Sequence, residues 1–426
     1  MGIDWDMADR ATVAIVGLGY VGLPLAHEAA RQGLEVYGLD VDAAMVAALD
    51  AGRSHVDDLG DADIAEMTAN GFRATTDPSC LAEADVIVIC VPTPLGPNGG
   101  PDLAAVEAAA STIGAHLRPA TLVILESTSY PGTTDDIVRP ILEQRSGLVA
   151  GEDFHLAYSP ERIDPGNPTF GLRNTPKVVG GHTAACLDRA VAFYDRLVDT
   201  VVPTVGTREA ELAKLLENTY RHVNIALMNE MAIFCHELDI DLWAAIEAAK
   251  TKPFGYQAFY PGPGVGGHCI PIDPNYLSFA VRSLGYPFRF VELAQEISGR
   301  MPSYVVTRAQ SLLNDMERSV RGSVIVLAGV AYKANISDQR ETPARPIAER
   351  LVAMGADVRY HDPFVDHFEA GGSALRAVTL EEAAETADLV ILLTPHEKIL
   401  TSGALGLARR ILDTRGVLSG ANVERL

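Results

Sequence analysis

Cys269 sits in the stretch FYPGPGVGGHCIPIDPNYL, residues 259–277, behind four glycines and between prolines, with Asp273 four residues later. A thiolate is the reactive form of cysteine, and glycines let backbone amides and a substrate approach the sulfur closely. The other four cysteines lack such a setting. Cys80 and Cys235 fall in helical text, Cys90 closes an apolar strand and Cys186 follows two alanines, so each reads as a small core or surface residue. Asp273 keeps two readings, a carboxylate serving the thiol or the N-cap of a helix beginning at Pro274. His268 likewise reads either as a group lowering the thiol pKa or as a structural histidine. A second constellation is Gly17, Gly19 and Gly22, a G-x-G-x-x-G with Asp40 about 20 residues further on. A third places Lys214 and Asn218 four residues apart, with Asn224 and Asn229 beyond them. A solvated face explains such residues too, but repeated asparagine on an apolar helix invites a polar site.

The elements that must position these groups are legible around them. ATVAIVGLGYVGLPLAHEAARQGLEVYGLD reads strand, glycine turn, helix, strand, and apolar runs recur at ADVIVICVP and ATLVILEST. That alternation is the signature of a doubly wound parallel sheet covered on both faces. In that context the glycines allow a tight turn and close approach of a pyrophosphate, while Asp40 offers a carboxylate to ribose hydroxyls. Asp40 would repel a 2′-phosphate, so NAD is expected over NADP; glycines serving a turn alone and a plain strand-end carboxylate are the alternatives. Thr128 follows a buried strand at the sheet edge where open α/β folds bind ligands.

From Thr204 more than forty residues run at helical spacing without proline, enough for one long helix and a shorter one. After Arg321 the strand pattern returns in SVIVLAGVAYK, ADVRYHDP, ADLVILLTPH and RILDTRG, matching the first domain in kind and order but without the glycine fingerprint. The expected architecture is two Rossmann-like doubly wound parallel-sheet domains, residues 1–203 and 303–426, joined by a long-helix domain over 204–302. The central helix is expected to carry a homodimer or higher homo-oligomer interface, burial within one chain being the alternative.

With 426 residues and 48% hydrophobic content, the chain can bury real cores. A formal net charge of −22 argues against nucleic acid and anionic membrane as partners, so a bound phosphate needs local donors. Five cysteines without C-x-x-C spacing suggest neither disulfides nor a thiolate metal site, and free thiols fit a reducing cytoplasm. The opening MGIDWDMADR has no apolar signal core, and no run approaches the roughly 18 apolar residues of a spanning helix.

Seven ordered motifs resemble the UDP-glucose/GDP-mannose dehydrogenase family of UDP-sugar 6-dehydrogenases over nearly the whole chain: GLGYVGLPLA, CVPTP, ESTSYPGTT, SPERIDPGN, ELAKLLENTYRHVNIALMNE, FYPGPGVGGHCIPIDP and GVAYKANISDQRETPA. The resemblance implies oxidation of a sugar C6 alcohol to a carboxylate, reducing two NAD⁺ through a bound aldehyde and a cysteine thioester. It implies that Cys269 is the nucleophile, that Lys214 stabilises oxyanions, and that Asn218 and Asp273 orient substrate or water and assist proton transfer. Thr128 and Glu161 resemble residues that hold and activate the hydrolytic water. Gly17, Gly19, Tyr20, Val21, Gly22, Asp40, Pro92, Thr93 and Thr128 are implied for NAD. For the UDP-sugar the implied set is Glu161, Arg162, Lys214, Asn218, Tyr260, Gly264, Lys333 and Arg340.

Ile272 replaces a lysine usual in UDP-glucose enzymes, and RIDPGN replaces a second glutamate after Glu161. Both departures resemble the branch acting on UDP-acetamido sugars, with UDP-N-acetylglucosamine the first expectation and UDP-N-acetylmannosamine or UDP-glucose the alternatives. Ser129 stands where a valine is usual, without evident meaning. Readings of another class are a non-catalytic NAD or nucleotide-sugar sensor and a cysteine hydrolase, and the latter leaves the glycine fingerprint unexplained.

Overall fold

The computed structural model describes residues 11–426 except 57–58, 97–98, 165–166, 168, 268–269 and 283. His268 and Cys269 therefore lie outside the described residues. The chain packs as two compact units, Met1–Glu217 with Asn275–Tyr286, and Asn218–Pro274 with Pro287–Leu426.

The first unit is built on β1 (Thr12–Val16), β2 (Glu35–Leu39), β3 (Phe72–Thr75), β4 (Val86–Ile89), β5 (Leu122–Leu125), β6 (His155–Tyr158), β7 (Lys177–Gly181) and β8 (Val201–Pro203). They form one sheet in the order β3-β2-β1-β4-β5-β6-β7-β8. β4 and β5 are buried at every residue, as expected where helices cover both faces of a parallel sheet. The sheet departs from an all-parallel one at β7, which pairs antiparallel with β6, Tyr158 standing opposite Gly180. Because of that reversal, the first residue of β7, Lys177, stands where the parallel strands finish.

In the second unit β9 (Val324–Ala328), β10 (Asp357–His361), β13 (Arg376–Ala377), β14 (Leu389–Leu392), β15 (Ile411–Asp413) and β16 (Val423–Arg425) make a parallel sheet in the order β13-β10-β9-β14-β15-β16. A small antiparallel pair, β11 (Glu369–Ala370) and β12 (Ser373–Ala374), stands apart. The two sheets share their central order, and they share the turn after the first strand. Gly17 at φ 96° and Gly329 at φ 79° both occupy the left-handed region. A Cβ would lie 2.7 Å from the Cys90 carbonyl oxygen at Gly17 and 2.1 Å from that of Thr394 at Gly329. Each second strand ends in an aspartate that grips this turn. Asp40 Oδ2 accepts the Leu18 N–H at 2.8 Å, and Asp362 Oδ2 accepts the Val330 N–H at 2.7 Å. The resemblance between sheets ends at His396, fully buried, whose Nδ1 accepts the Asn335 N–H at 2.9 Å while its Nε2 lies 3.0 Å from Asp362 Oδ2. With Nδ1 accepting, the ring proton sits on Nε2 and is donated to Asp362.

The expected long and shorter helices are Thr207–Glu237 and Leu242–Lys250, and a further helix opens at Asp273 and runs to Arg282. A 27-residue helix, Arg289–Asp315, was not foreseen: it continues through Pro302, whose missing N–H and ring usually end a helix. Apolar burial of Val291, Ala294, Ile297, Met301, Val305 and Ala309 on one stripe holds it together across that proline.

Glu211, on the helix Thr207–Glu237, is fully buried and anchors the loop after β5. Its carboxylate accepts the Gly132 N–H at 2.6 Å, the Thr134 N–H at 2.9 Å, the Thr134 hydroxyl at 2.7 Å and, at 3.5 Å, the Ser129 hydroxyl. Ser129 thus has a structural partner. Burial outweighs these donors and pushes the Glu211 pKa up from 4.5 to about 7. Because the folded pKa is the higher one, folding favours the protonated acid. The associated stability is complete below pH 4.5 and is lost as pH rises through about 7. In Glu211→Gln the amide NH₂ opposes the Gly132 N–H, so the thermal midpoint should drop at acid pH. The wild-type decline from about pH 5 to about pH 8, up to ~3 kcal/mol, should flatten in that variant; equal slopes in the two proteins would disprove the assignment.

Candidate active site

The glycine turn lies in the first unit, where β1 passes into the helix Gly22–Arg31. No side chain caps that helix at Val21. Of its leading amides the Leu23 N–H donates to the Gly19 carbonyl at 3.1 Å, and no side chain at the cap takes up the others, which suits a phosphate. At Gly19 a Cβ would meet no protein atom within 4 Å, so that glycine keeps the ligand side of the turn open. Asp40 spends one oxygen on Leu18 N–H and the other on Asp42 N–H at 2.9 Å, and each oxygen retains a second lone pair for a ribose hydroxyl. These features fit a dinucleotide such as NAD, a hydride acceptor when bound. Tyr20 and Val21 lie within the turn, between Gly19 and the first helical residue, Gly22. Pro92 and Thr93 follow β4, and the Thr93 carbonyl accepts the Tyr276 hydroxyl. Thr128 is half-buried after β5.

The same unit brings Lys214 and Glu161 together: the Lys214 ammonium donates to the Glu161 carbonyl oxygen at 2.6 Å, with both residues buried. The Glu161 carboxylate is itself occupied. Its Oε1 accepts the N–H groups of Arg162 and Ile163, each at 2.5 Å, and Oε2 lies 3.5 Å from the Lys177 ammonium. Arg162 grips Glu217 through Nε at 3.2 Å and Nη2 at 2.7 Å, and donates to the Pro176 carbonyl.

In the second unit the Asn218 amide donates to Asp273 Oδ2 at 2.6 Å, and both side chains are buried. Asp273 thus answers to more than its helix: a cap facing solvent needs no buried amide partner. Asn229 is fully buried and accepts the Gly262 N–H at 2.9 Å, tying the glycine-rich loop to the long helix, whereas Asn224 bonds the Tyr220 carbonyl one turn back. Asn224 is therefore a helix-surface residue. Tyr260 lies over Trp243, ring centroids 6.1 Å apart, and its hydroxyl donates to Glu247 at 2.6 Å. Gly264 adopts φ 138°, with a Cβ position 3.0 Å from Pro343. Arg340 forms a two-pronged pair with Asp338, at 3.1 and 2.6 Å, and Lys333 is half-buried six residues before Asp338's neighbour Gln339.

Among the described residues Cys80, Cys90, Cys186 and Cys235 are buried free thiols. Burial pushes the Cys80 thiol up to about 11 and raises Cys90 well above its usual value, so neither is a ready nucleophile. Sequence reasoning missed Glu126, Lys177, Tyr194 and Glu211. The signal for the first two was a charge set directly against an apolar strand, in LVILES and KVVGG.

Asp40→Ala should weaken NAD⁺ binding roughly 10- to 100-fold, the cost of losing charge-assisted ribose contacts, and narrow the preference over NADP⁺. Titration calorimetry with both dinucleotides reads this, and unchanged NAD⁺ affinity would refute the ribose assignment.

Residues 11–198 match the NAD binding domain, 208–299 the central domain and 326–420 the UDP binding domain of the UDP-glucose/GDP-mannose dehydrogenase family. The chain is 35% identical to an NDP-N-acetyl-D-galactosaminuronic acid dehydrogenase of Ralstonia nicotianae, over 97% of this chain and 98% of the relative. It is 34% identical to a UDP-N-acetyl-D-mannosamine dehydrogenase of Salmonella typhimurium, over 95% and 99% of the two chains. A solved UDP-D-ManNAc dehydrogenase from Pyrococcus horikoshii superposes with a TM-score of 0.89 at 31% identity, covering 97% of this chain and 98% of that one. No described helix is long and apolar enough to cross a membrane. With all three domains matched in order and relatives aligned from end to end, the chain belongs to the UDP-glucose/GDP-mannose dehydrogenase family and is an NAD-dependent nucleotide-sugar dehydrogenase.

Proposed function

We propose that this enzyme oxidises C6 of a UDP-acetamido sugar to the UDP-uronic acid in two steps. The observation that carries the substrate class is end-to-end similarity, at 34–35% identity, to relatives named for acetamido sugars. Ile272 in place of the lysine usual in UDP-glucose enzymes supports the same class. The sequence alone favours UDP-N-acetylglucosamine, whereas the relatives' names favour the manno- and galacto-configured sugars; UDP-N-acetylmannosamine comes first because both the Salmonella typhimurium relative and the Pyrococcus horikoshii structure are named for it.

In this reading the C6 hydroxyl loses its proton to a water held by Asp273, whose carboxylate the Asn218 amide keeps in place. Lys214 has three ammonium donors, one spent on the Glu161 carbonyl, and the others serve the developing alkoxide. Each oxidation passes one hydride to NAD⁺. The Cys269 thiolate adds to the bound aldehyde, and the resulting thiohemiacetal becomes a thioester when the second hydride leaves. Water held by Thr128 then hydrolyses the thioester, returning the thiol and releasing the carboxylate. Tyr260, Gly264, Lys333 and Arg340 are assigned to the UDP-sugar, and the functional divisions 1–203, 204–302 and 303–426 to cofactor, catalytic loop and nucleotide sugar. A homodimer through the central helix is part of the proposal, supported by exposed Leu216, Leu227 and Phe234 on it.

A panel of UDP-N-acetylmannosamine, UDP-N-acetylgalactosamine, UDP-N-acetylglucosamine and UDP-glucose, compared by kcat/KM from NADH absorbance, tests the substrate. Equal or higher kcat/KM with UDP-glucose would overturn the acetamido assignment, and absence of NADH with all four would leave the sensor reading. Cys269→Ser should stall before acid release, with uronate formation at least about 100-fold slower, since an alkoxide is a far poorer leaving group and a serine hydroxyl a far weaker nucleophile than a thiolate. Uronate production at the wild-type rate would exclude the thioester route.

A further inference from the structure

Four side chains form a buried cluster within the first unit, and three of them, Glu126, Lys177 and Tyr194, serve no step above. Glu126 directly follows β5, Lys177 opens β7, Tyr194 ends the helix Ala184–Tyr194, and Glu161 follows β6. Their exposures are 1, 3, 0 and 9%. The Lys177 ammonium lies 3.0 Å from Glu126 Oε1 and 3.5 Å from Glu161 Oε2, and 5.3 Å from the centre of the Tyr194 ring. The Tyr194 hydroxyl donates to Glu126 Oε1, and Glu126 Oε2 is buried with no hydrogen-bond partner among the described residues.

Taking three charges out of water is costly, and an ammonium shared by two carboxylates leaves one negative charge over. Against burial, which would lower it, Glu126 and Glu161 hold the Lys177 pKa above its usual value, so the lysine stays charged. Burial raises the Glu126 pKa, so of the two carboxylates that residue bears the cost of the surplus and is the one eased by taking up a proton. Glu161 is the partner fixed at both oxygens, by two amides and by Lys177. So engaged, it serves as an anchor more readily than as a mobile base, and what it anchors is the carbonyl that receives Lys214.

We propose that Lys177, braced by Glu126 and Tyr194, is a positioning residue that fixes the Glu161 loop and through it aims the Lys214 ammonium. The proposal deepens the reading above and rests on Lys214 serving the oxyanions. It gives Lys177 no contact with substrate. Its effect on turnover passes through Lys214, so the two residues must be energetically coupled.

The test is a double-mutant cycle of Lys177→Met and Lys214→Ala on the preferred UDP-sugar. Lys177→Met should lower kcat roughly 10- to 100-fold, the usual cost of misplacing a catalytic group, with KM for NAD⁺ unchanged. Lys177→Arg should recover most of the loss, because a guanidinium also bridges two carboxylates. In the Lys177→Met background, Lys214→Ala should cost far less than it does in wild type. If Lys177→Met does not fold, Lys177→Met/Glu126→Gln, which also removes the surplus carboxylate, takes its place in the cycle. A substrate-free arm measures acetylation of Lys214 by acetic anhydride, read by peptide mass spectrometry against exposed Lys250. It should speed up several-fold without Lys177 and return to the wild-type rate in Lys177→Arg. Losses that multiply independently, an unchanged Lys214 labelling rate, or a double variant that also fails to fold would each overturn the proposal. A wild-type enzyme inert to every UDP-sugar would instead break the reading of the reaction, and the labelling arm would still decide the role of Lys177.

Discussion

Strands covered on both faces have nowhere along their length for a polar side chain to go. In β4, β5 and β14 every residue is buried and apolar, so polar groups can begin only where the strand stops. That constraint places the chemistry of both units. Gly17 follows β1, Glu126 and Ser127 follow β5, and Glu161 lies past β6. In the second sheet Gly329, Asp362 and Thr394 hold the corresponding ends. Backbone amides released at these ends need acceptors, and Asp40 and Asp362 supply them within each turn. The reversed strand β7 obeys the same rule from the opposite direction, bringing Lys177 to that edge with its first residue rather than its last.

Local chemistry was the legible part of the sequence. The glycine fingerprint, the apolar runs and the proline-free helical text each announce an element within a short window, and the two sheets, the long helix and the helix at Asp273 follow from them. The pairing of Asn218 with Asp273 joins residues 55 apart in the chain, and no window contains both. The cluster around Lys177 is harder still, because Glu126 precedes it by about fifty residues and Tyr194 belongs to another element. Each looks like an isolated charge or ring in sequence. Only the antiparallel turn of β7, which apolar alternation cannot distinguish from a parallel one, makes them neighbours.

Glu211 and Pro302 show two further limits. A glutamate in a helix normally reads as solvated, and Glu211 is buried because the loop at Gly132 and Thr134 presents three donors to it. A proline normally reads as a helix end, and the helix Arg289–Asp315 overrides it because the apolar stripe continues on both sides. In both cases tertiary packing outweighs the local preference.

His396 has a meaning for how a repeated frame acquires a different ligand. Both sheets build the same glycine turn and the same aspartate beneath it, yet among the described residues one carboxylate takes only backbone amides, and in the other a buried imidazole has been added. Restoring the missing glycines to the second turn would therefore not make it a dinucleotide site. A ribose would have to displace a ring that is fully enclosed and hydrogen-bonded at both nitrogens. One side chain, arriving from β14's end, gives the duplicate frame a closed lock where the first keeps an open seat.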